Sequence, residues 1–403
     1  MISAAVNLYR NAYNGLSRRM WLLAVVMLIN RSGTMVLPFM TLYCKHIGYT
    51  TRQAGYVVAV YGLGAMVGAF LGGRISDRFG FYYTQFFALF CGGILFILLG
   101  QMNSFASICI CTFFLSMVNE SFRPANATAV AHYSNPQNRT QSFSLVRLAI
   151  NVGWGVGGGL GGFLASINYH LLFWVDGLTN MTAAFLLIWL LPKVSLAQQQ
   201  NLSRAKPVNI KTIPAHADKT FMYFIGLQVL FALCFFQLFT TIPMYFKEGL
   251  HINEFWIGVV MAMNGILIAV LEMVIVFKLE GRMPYLRLMT IGTVVMAISF
   301  FMLNIPLANG FLIAVMATLT VTFAEMIAMP FMNSYYISRS SEGNRGQYAA
   351  LYTMAWSAAQ VIGSAAGTQI AYSTGFTNLW WIIGGICLLT AVGYHRLQLS
   401  RKR

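Results

Sequence analysis

Six ionisable side chains lie inside apolar stretches of this chain: Arg31, Glu120, Arg123, Arg147, Glu272 and Glu325. A charged group at the centre of a membrane helix costs about 2.5–3.5 kcal/mol on insertion scales, so six of them facing lipid would cost on the order of 15–20 kcal/mol. They are expected to face an interior, find partners or line water. Glu120 and Arg123, in the stretch NESFRPANAT, are three residues apart and share a helix face. Pro124 follows and is expected to bend the helix, freeing a backbone carbonyl near the pair. Arg147, on the next apolar run, lies at a depth like that of Arg123, roughly 12 Å from the same membrane face. Glu120 can therefore reach either arginine, and a structural ion pair is the competing reading for both. Glu325, in TFAEMIAMP, stands near the middle of its run with no cation on the same helix. A carboxyl so placed can exchange protons near neutral pH, as a proton carrier or cation-binding group, or serve as a hydrogen-bonded structural residue. Glu272 lies nearer a helix end, where snorkelling lowers the cost of burial. Arg31, in LINRSGTMVLPF, sits at the midplane of the first run.

No constellation for covalent chemistry accompanies these charges. A Walker-type phosphate loop does not occur, which argues against ATP as the driving force, and no H-E-x-x-H or other metal-ligand spacing is present. The six histidines fall mostly in loops or at span ends. The six cysteines, Cys44, Cys91, Cys109, Cys111, Cys234 and Cys387, have no ligand company and read as small buried hydrophobes. An enzyme is not expected, and neither a metal nor a cofactor is implied.

The elements that must carry these groups follow from composition. Of 403 residues 58% are hydrophobic and only 9% charged, whereas soluble domains carry about 25% charged residues. A bilayer core of roughly 30 Å needs about 20 apolar residues per helix. Spans are expected at 20–43, 53–73, 82–101, 104–131, 139–165, 170–191, 220–246, 254–277, 286–303, 308–337, 347–371 and 376–395. The first is too long for a cleavable signal peptide and lacks a small-residue cleavage site, so it reads as a membrane span. Of the 26 Lys and Arg residues, twenty fall in the termini and even-numbered loops. Only Lys45, Arg52 and Lys247 fall in odd-numbered loops, which places both termini in the cytoplasm. The net charge of +16 thus follows topology, and no polar stretch is long enough for a nucleic-acid-binding domain.

The longest polar segment, around 192–219, separates an N-terminal six-helix bundle, 1–191, from a C-terminal one, 220–403. The halves echo each other. An offset of 206 matches Pro124 with Pro330, Gln141 with Gln347, Gly157 with Gly363 and Gly161 with Gly367. An offset of 203 matches Gly55 with Gly258 and Asp77 with Glu280. Six spans per half is an even number, so the halves share an orientation and are expected to flank a substrate cavity.

This arrangement resembles the major facilitator superfamily over essentially the whole chain. The stretch GGRISDRFGFYY is similar to that family's motif G-x-L-A-D-R-x-G-R-K through Gly73, Ile75, Ser76, Asp77, Arg78 and Gly80, departing at Phe81 and Tyr82. An Asp–Arg pair in a tight turn can bond neighbouring helix ends in one conformation only and so act as a latch, or it can simply set topology. NVGWGVGGGLGG resembles the antiporter motif G-x-x-x-G-P-x-x-G-G through Gly153, Gly157, Gly161 and Gly162, with Gly158 in place of proline. Glycines four apart permit close helix approach, as an export motif or as generic packing. More faintly, the first span is similar to proton-coupled oligopeptide transporters, whose E-x-x-E-R-F motif survives here only as Arg31, with Asn30 for the adjacent glutamate; Glu325 lies on the span where that family has an important glutamate.

The superfamily resemblance implies that the first span lines a central cavity, an all-α membrane fold of twelve helices, and alternating access. Arg31 would then hold an anionic substrate group, or pair with Glu325 in the empty state. Tyr61, Trp154 and Trp356, lying within spans, are the candidate pocket aromatics. The expected function is proton-coupled efflux of small amphipathic organic solutes. Uptake of peptides, siderophores or another anionic or zwitterionic nutrient is the alternative. Protons, a small-molecule substrate and the lipid bilayer are the expected partners of a monomer in a bacterial inner membrane. A channel fits the two-half symmetry less well than a transporter does.

Overall fold

The computed structural model describes residues 2–194, 214–306, 309–341 and 343–400. The described residues are helical, without strands. In chain order the helices are α1 (Ile2–Tyr13), α2 (Arg18–Ser32), α3 (Val36–His46), α4 (Thr51–Phe79), α5 (Phe81–Leu99), α6 (Phe105–Glu120), α7 (Phe122–Tyr133), α8 (Arg139–Ile167) and α9 (His170–Leu190). They continue with α10 (Lys219–Phe235), α11 (Thr241–Glu248), α12 (Glu254–Leu279), α13 (Tyr285–Met302), α14 (Gly310–Arg339), α15 (Arg345–Thr374) and α16 (Phe376–Ser400). Much of the expected linker, including Arg204, Lys206 and Lys211, lies outside the described residues.

Among the described residues, eleven helical segments are long and apolar enough to cross a membrane. The expected span not among them is the eleventh, 347–371, which coincides with α15. It is long enough at 30 residues, but Gln347, Ser357, Gln360, Ser364, Thr368 and Gln369 lower its hydropathy. The fold is therefore the all-α membrane architecture expected.

Local chemistry explains where helices begin and end. Thr50 and Gln53 form a reciprocal capping box that starts α4, and Asp218 caps α10 by accepting from the Phe221 N–H at 3.0 Å. Asp218 also holds Arg339, at the end of α14, in a two-pronged ion pair with contacts of 2.7 and 2.9 Å. Between α4 and α5 the chain reverses at Gly80, whose φ of +87° only glycine adopts without strain.

Three expected spans are interrupted rather than continuous. The first breaks between α2 and α3 at Gly33–Met35, and the fourth at Ser121, three residues before Pro124. The seventh passes through a tight turn over Phe236–Phe239 between α10 and α11. Broken helices are tolerated at membrane depth only where protein or a cavity satisfies the freed backbone groups.

The chain forms two compact units. The first comprises Gly15–Ala215 and Ser340–Ser357; the second comprises Met1–Asn14, His216–Arg339 and Ala358–Arg403. In the first, α4 packs on α6, α5 on α9, and α2 on α8; in the second, α13 packs on both α14 and α16.

Candidate functional site

In the first unit the broken first span carries Arg31 in the last turn of α2. Against its back lies α8. A Cβ on Gly153 would meet the Arg31 Cβ at 2.6 Å, and one on Gly157 would meet the Ser32 and Arg31 carbonyls at 3.1 and 3.2 Å. Gly161 faces Met35 and Phe39 just as closely. These three glycines, on one face of α8, let the interrupted helix approach within backbone distance. Gly162 makes only an ordinary contact with Phe39, and Gly158, where the family motif has proline, has open space around it.

Arg31 is half-buried, and its electrostatic neighbours are Arg123, Glu120 and Tyr61. Glu120 ends α6 and pairs with Arg123 on α7 at 2.8 Å across the Ser121 break. The carboxylate is almost fully buried while the guanidinium is 41% exposed, so the arginine keeps one side open. Tyr61, on α4, has its phenol hydrogen-bonded to Asn119. The cluster thus holds two guanidiniums and one carboxylate, with a net positive charge. The Arg31 Nε meets no acceptor among the described residues.

Arg147, on α8, is electrostatically close to Tyr352, whose phenol is hydrogen-bonded to Trp356. The Tyr352 and Trp356 rings meet edge to face, with centroids 6.4 Å apart. Trp356 is half-buried, whereas Trp154, on α8, is 47% exposed.

The α4 turn meets the start of α15. Asp77 accepts the Gly346 N–H at 2.7 Å and the Gln347 N–H at 3.0 Å, capping that helix with a carboxylate at its positive end. Arg345 adds a favourable charge. Close approach makes the contact possible: a Cβ on Gly73 would clash with the Gly346 carbonyl and with Ala350. Arg78 lies instead over the Phe79 ring at 5.4 Å.

In the second unit Glu325 is buried in α14 and accepts the Asn264 amide at 3.1 Å; the same amide donates to Thr322 at 2.9 Å. Glu272, on α12, is also buried, with Tyr13 of α1 as an electrostatic neighbour. The seventh-span turn is held by Gln237, which donates to the Leu233 and Gly363 carbonyls, both at 2.9 Å, and accepts from Thr241 at 2.8 Å. Gly367 packs directly on the Gln237 side chain. At the offset of 206, Gln237 is the counterpart of Arg31, so each half backs its first helix with the glycines of its fifth.

The Major Facilitator Superfamily profile matches residues 20–363. The chain belongs to the Major Facilitator Superfamily. A Na(+), Li(+), K(+)/H(+) antiporter from Planococcus maritimus is 22% identical over 395 residues, covering 91% of this chain and 92% of that one. Multidrug resistance protein 2 of Bacillus subtilis is 23% identical over 363 residues, covering 87% and 89%. Among solved structures, the human organic anion transporter MFSD10 superposes with a TM-score of 0.75 at 13% identity, covering 94% of this chain and 99% of that one. The protein is a major facilitator transporter in fold and family, and not an enzyme.

One carboxylate of this superfamily member escapes a reading of its buried charges. Asp176, in LLFWVDGLTN on α9, is fully buried and makes a seventh ionisable group inside the apolar stretches, beside Arg31, Glu120, Arg123, Arg147, Glu272 and Glu325. Its signal was an Asp–Gly pair inside an apolar run. Asn264, Gln237 and Tyr352 had no comparable signal, because uncharged polar residues are common in membrane helices.

Proposed function

We propose that this major facilitator protein exports small amphipathic organic solutes in exchange for protons. It works by alternating access of two six-helix halves, 1–191 and 220–403, in a bacterial inner membrane with both termini cytoplasmic. The observation that carries this reading is the unbalanced cluster of Arg31, Arg123 and Glu120, set beside Tyr61 at two helix breaks. A buried excess charge is costly unless something from outside compensates it. An organic solute with an anionic group and an aromatic body suits those residues, the anion on the guanidiniums and the ring on Tyr61 or Trp356. Glu325, in the second unit, is the proposed proton carrier, since its Asn264 partner can serve a charged or a neutral carboxyl. The names of the two curated relatives, a cation/proton antiporter and a multidrug resistance protein, favour exchange and export over nutrient uptake.

Transport by purified protein in proteoliposomes tests the proposal, with an imposed pH gradient and three probes: norfloxacin, ethidium and an alanyl dipeptide. Norfloxacin, which has a carboxylate on an aromatic body, should accumulate against its gradient only when protons flow the other way. Ethidium, a cation with no anionic group, should accumulate far less, and Arg31→Gln should raise the norfloxacin KM at least fivefold. Movement of the dipeptide alone, in the same direction as protons, would replace export with uptake.

A further inference from the structure

We infer that Asp176 is the positioning residue that fixes the first-span break and thereby the place of Arg31. This inference rests on the proposed role of Arg31 as an anion-holding group.

The break leaves backbone groups that must find partners inside the protein. α2 ends at Ser32 and α3 begins at Val36, so the first N–H groups of α3 have no helical acceptor. Asp176 supplies one. Its carboxylate accepts the Met35 N–H at 3.0 and 3.1 Å and the Val36 N–H at 2.8 Å, while remaining fully buried. The rest of that α9 face grips the other side of the break. Asn180 donates to the Asp176 carbonyl at 2.8 Å and accepts the Asn30 amide at 2.8 Å. Thr179 stands so close to Gly33 that no Cβ would fit there. Asn30 and Met35 therefore bracket Arg31 from both sides in the chain and are both tied to α9. With Gly153 behind its Cβ, the arginine is held at the base from two directions.

A carboxyl group is the unexpected part. A neutral Ser, Thr or Asn would cap a helix start adequately. A buried carboxyl is tolerated only when its oxygens are satisfied, and here both accept backbone N–H groups, which one hydroxyl or amide oxygen would have to do alone. The second half manages its corresponding break without a carboxylate: Gln237 closes it with neutral bonds, and at the Asp176 register stands Ile382. The two-oxygen cap is thus reserved for the break that carries the cation. Asp176 itself, with its lone pairs directed at backbone, is not a substrate-contacting group.

The test uses the full chain in proteoliposomes with norfloxacin as the probe. Asp176→Asn should raise its KM at least fivefold and leave the maximal rate within twofold. Deuterium exchange of the Met35 and Val36 amides should quicken at least tenfold, and Asp176→Glu should recover part of the affinity. In an Arg31→Gln background, Asp176→Asn should change KM less than twofold, because the two residues act as one unit. An unchanged KM in Asp176→Asn beside a raised one in Arg31→Gln would overturn the positioning role alone, as would full additivity. An unchanged KM in Arg31→Gln would instead overturn the reading of Arg31 on which the inference stands. Should Asp176→Asn not assemble, Asn180→Ala, which frees Asn30, decides: KM should rise about threefold, and no rise overturns the inference.

Discussion

A carboxyl that must gain and lose a proton inside a membrane needs a partner that serves both states. Glu325, the proposed carrier, has one in Asn264, whose amide group offers N–H to an ionised carboxylate and C=O to a protonated one. Glu325→Gln keeps the shape and the hydrogen bond and removes only the titration. Its effect on stability should be within about 1 kcal/mol, since a neutral hydrogen bond replaces another of similar geometry. Uphill, pH-driven transport should fall at least tenfold, while exchange of labelled for unlabelled norfloxacin across the same liposomes continues. Loss of both would mean that the glutamate serves structure. Asp77 makes the other residue-scale case. Two N–H bonds to a charged acceptor are worth about 1.5–3 kcal/mol each at most, and the helix-end charge adds about 0.3–1 kcal/mol. Asp77→Asn should therefore shift the balance between inward- and outward-open populations by about tenfold or more. Distance distributions between spin labels on the two halves would show it, and an unchanged distribution would leave the motif a turn and nothing else.

At the scale of elements, helix positions were legible in the sequence and helix interruptions were not. Hydropathy is an average over about 20 residues, so a gap of three residues at Gly33–Met35 barely lowers it. Ser-Gly in NRSGTM was a local hint, but the tertiary cause, Asp176 on α9, is 141 positions away in sequence. Pro124 signalled a bend in the fourth span, and the break lies one turn earlier, at Ser121, because proline removes a bond to a preceding carbonyl. Nothing in FFQLFTT marked the seventh-span turn. The α8 glycines could be read as a close-packing face from their spacing alone, although only coordinates separate Gly153 from Gly158. That difference makes a sharp prediction. Gly153→Ala puts a methyl group into the Arg31 Cβ and should cost about 1–3 kcal/mol, as overpacking does, with at least a tenfold loss of transport. Gly158→Ala meets open space and removes backbone entropy from the unfolded chain, so the melting temperature should hold or rise, by about 0.4–1 kcal/mol in stability. Thermal unfolding in detergent, read beside transport, checks both.

For the whole molecule the strongest sequence signal is the uneven placement of charge. Lys and Arg cluster in the termini and even-numbered loops, and translocating them across the membrane is opposed by the machinery and the potential alike. The amphipathic helix α1 precedes the first span and is anchored in the second unit by the Tyr9 hydroxyl, which donates to the Val270 carbonyl at 2.7 Å. Burial pushes the Tyr13 phenol above its ordinary value, with Tyr9 and the Glu272 carboxylate adding to the effect. The chain then turns at Gly15, whose φ of +81° suits glycine and whose carbonyl accepts the Asn138 amide at 2.6 Å. Reporter fusions test the orientation directly. Alkaline phosphatase fused after Gly48 or Gly249, in odd-numbered loops, should be at least tenfold more active than the same enzyme fused after Gly80 or Ser400, and a green fluorescent protein after Ser400 should fluoresce. Phosphatase activity at the C-terminal fusion would reverse the whole topology, and with it the direction of the proposed exchange.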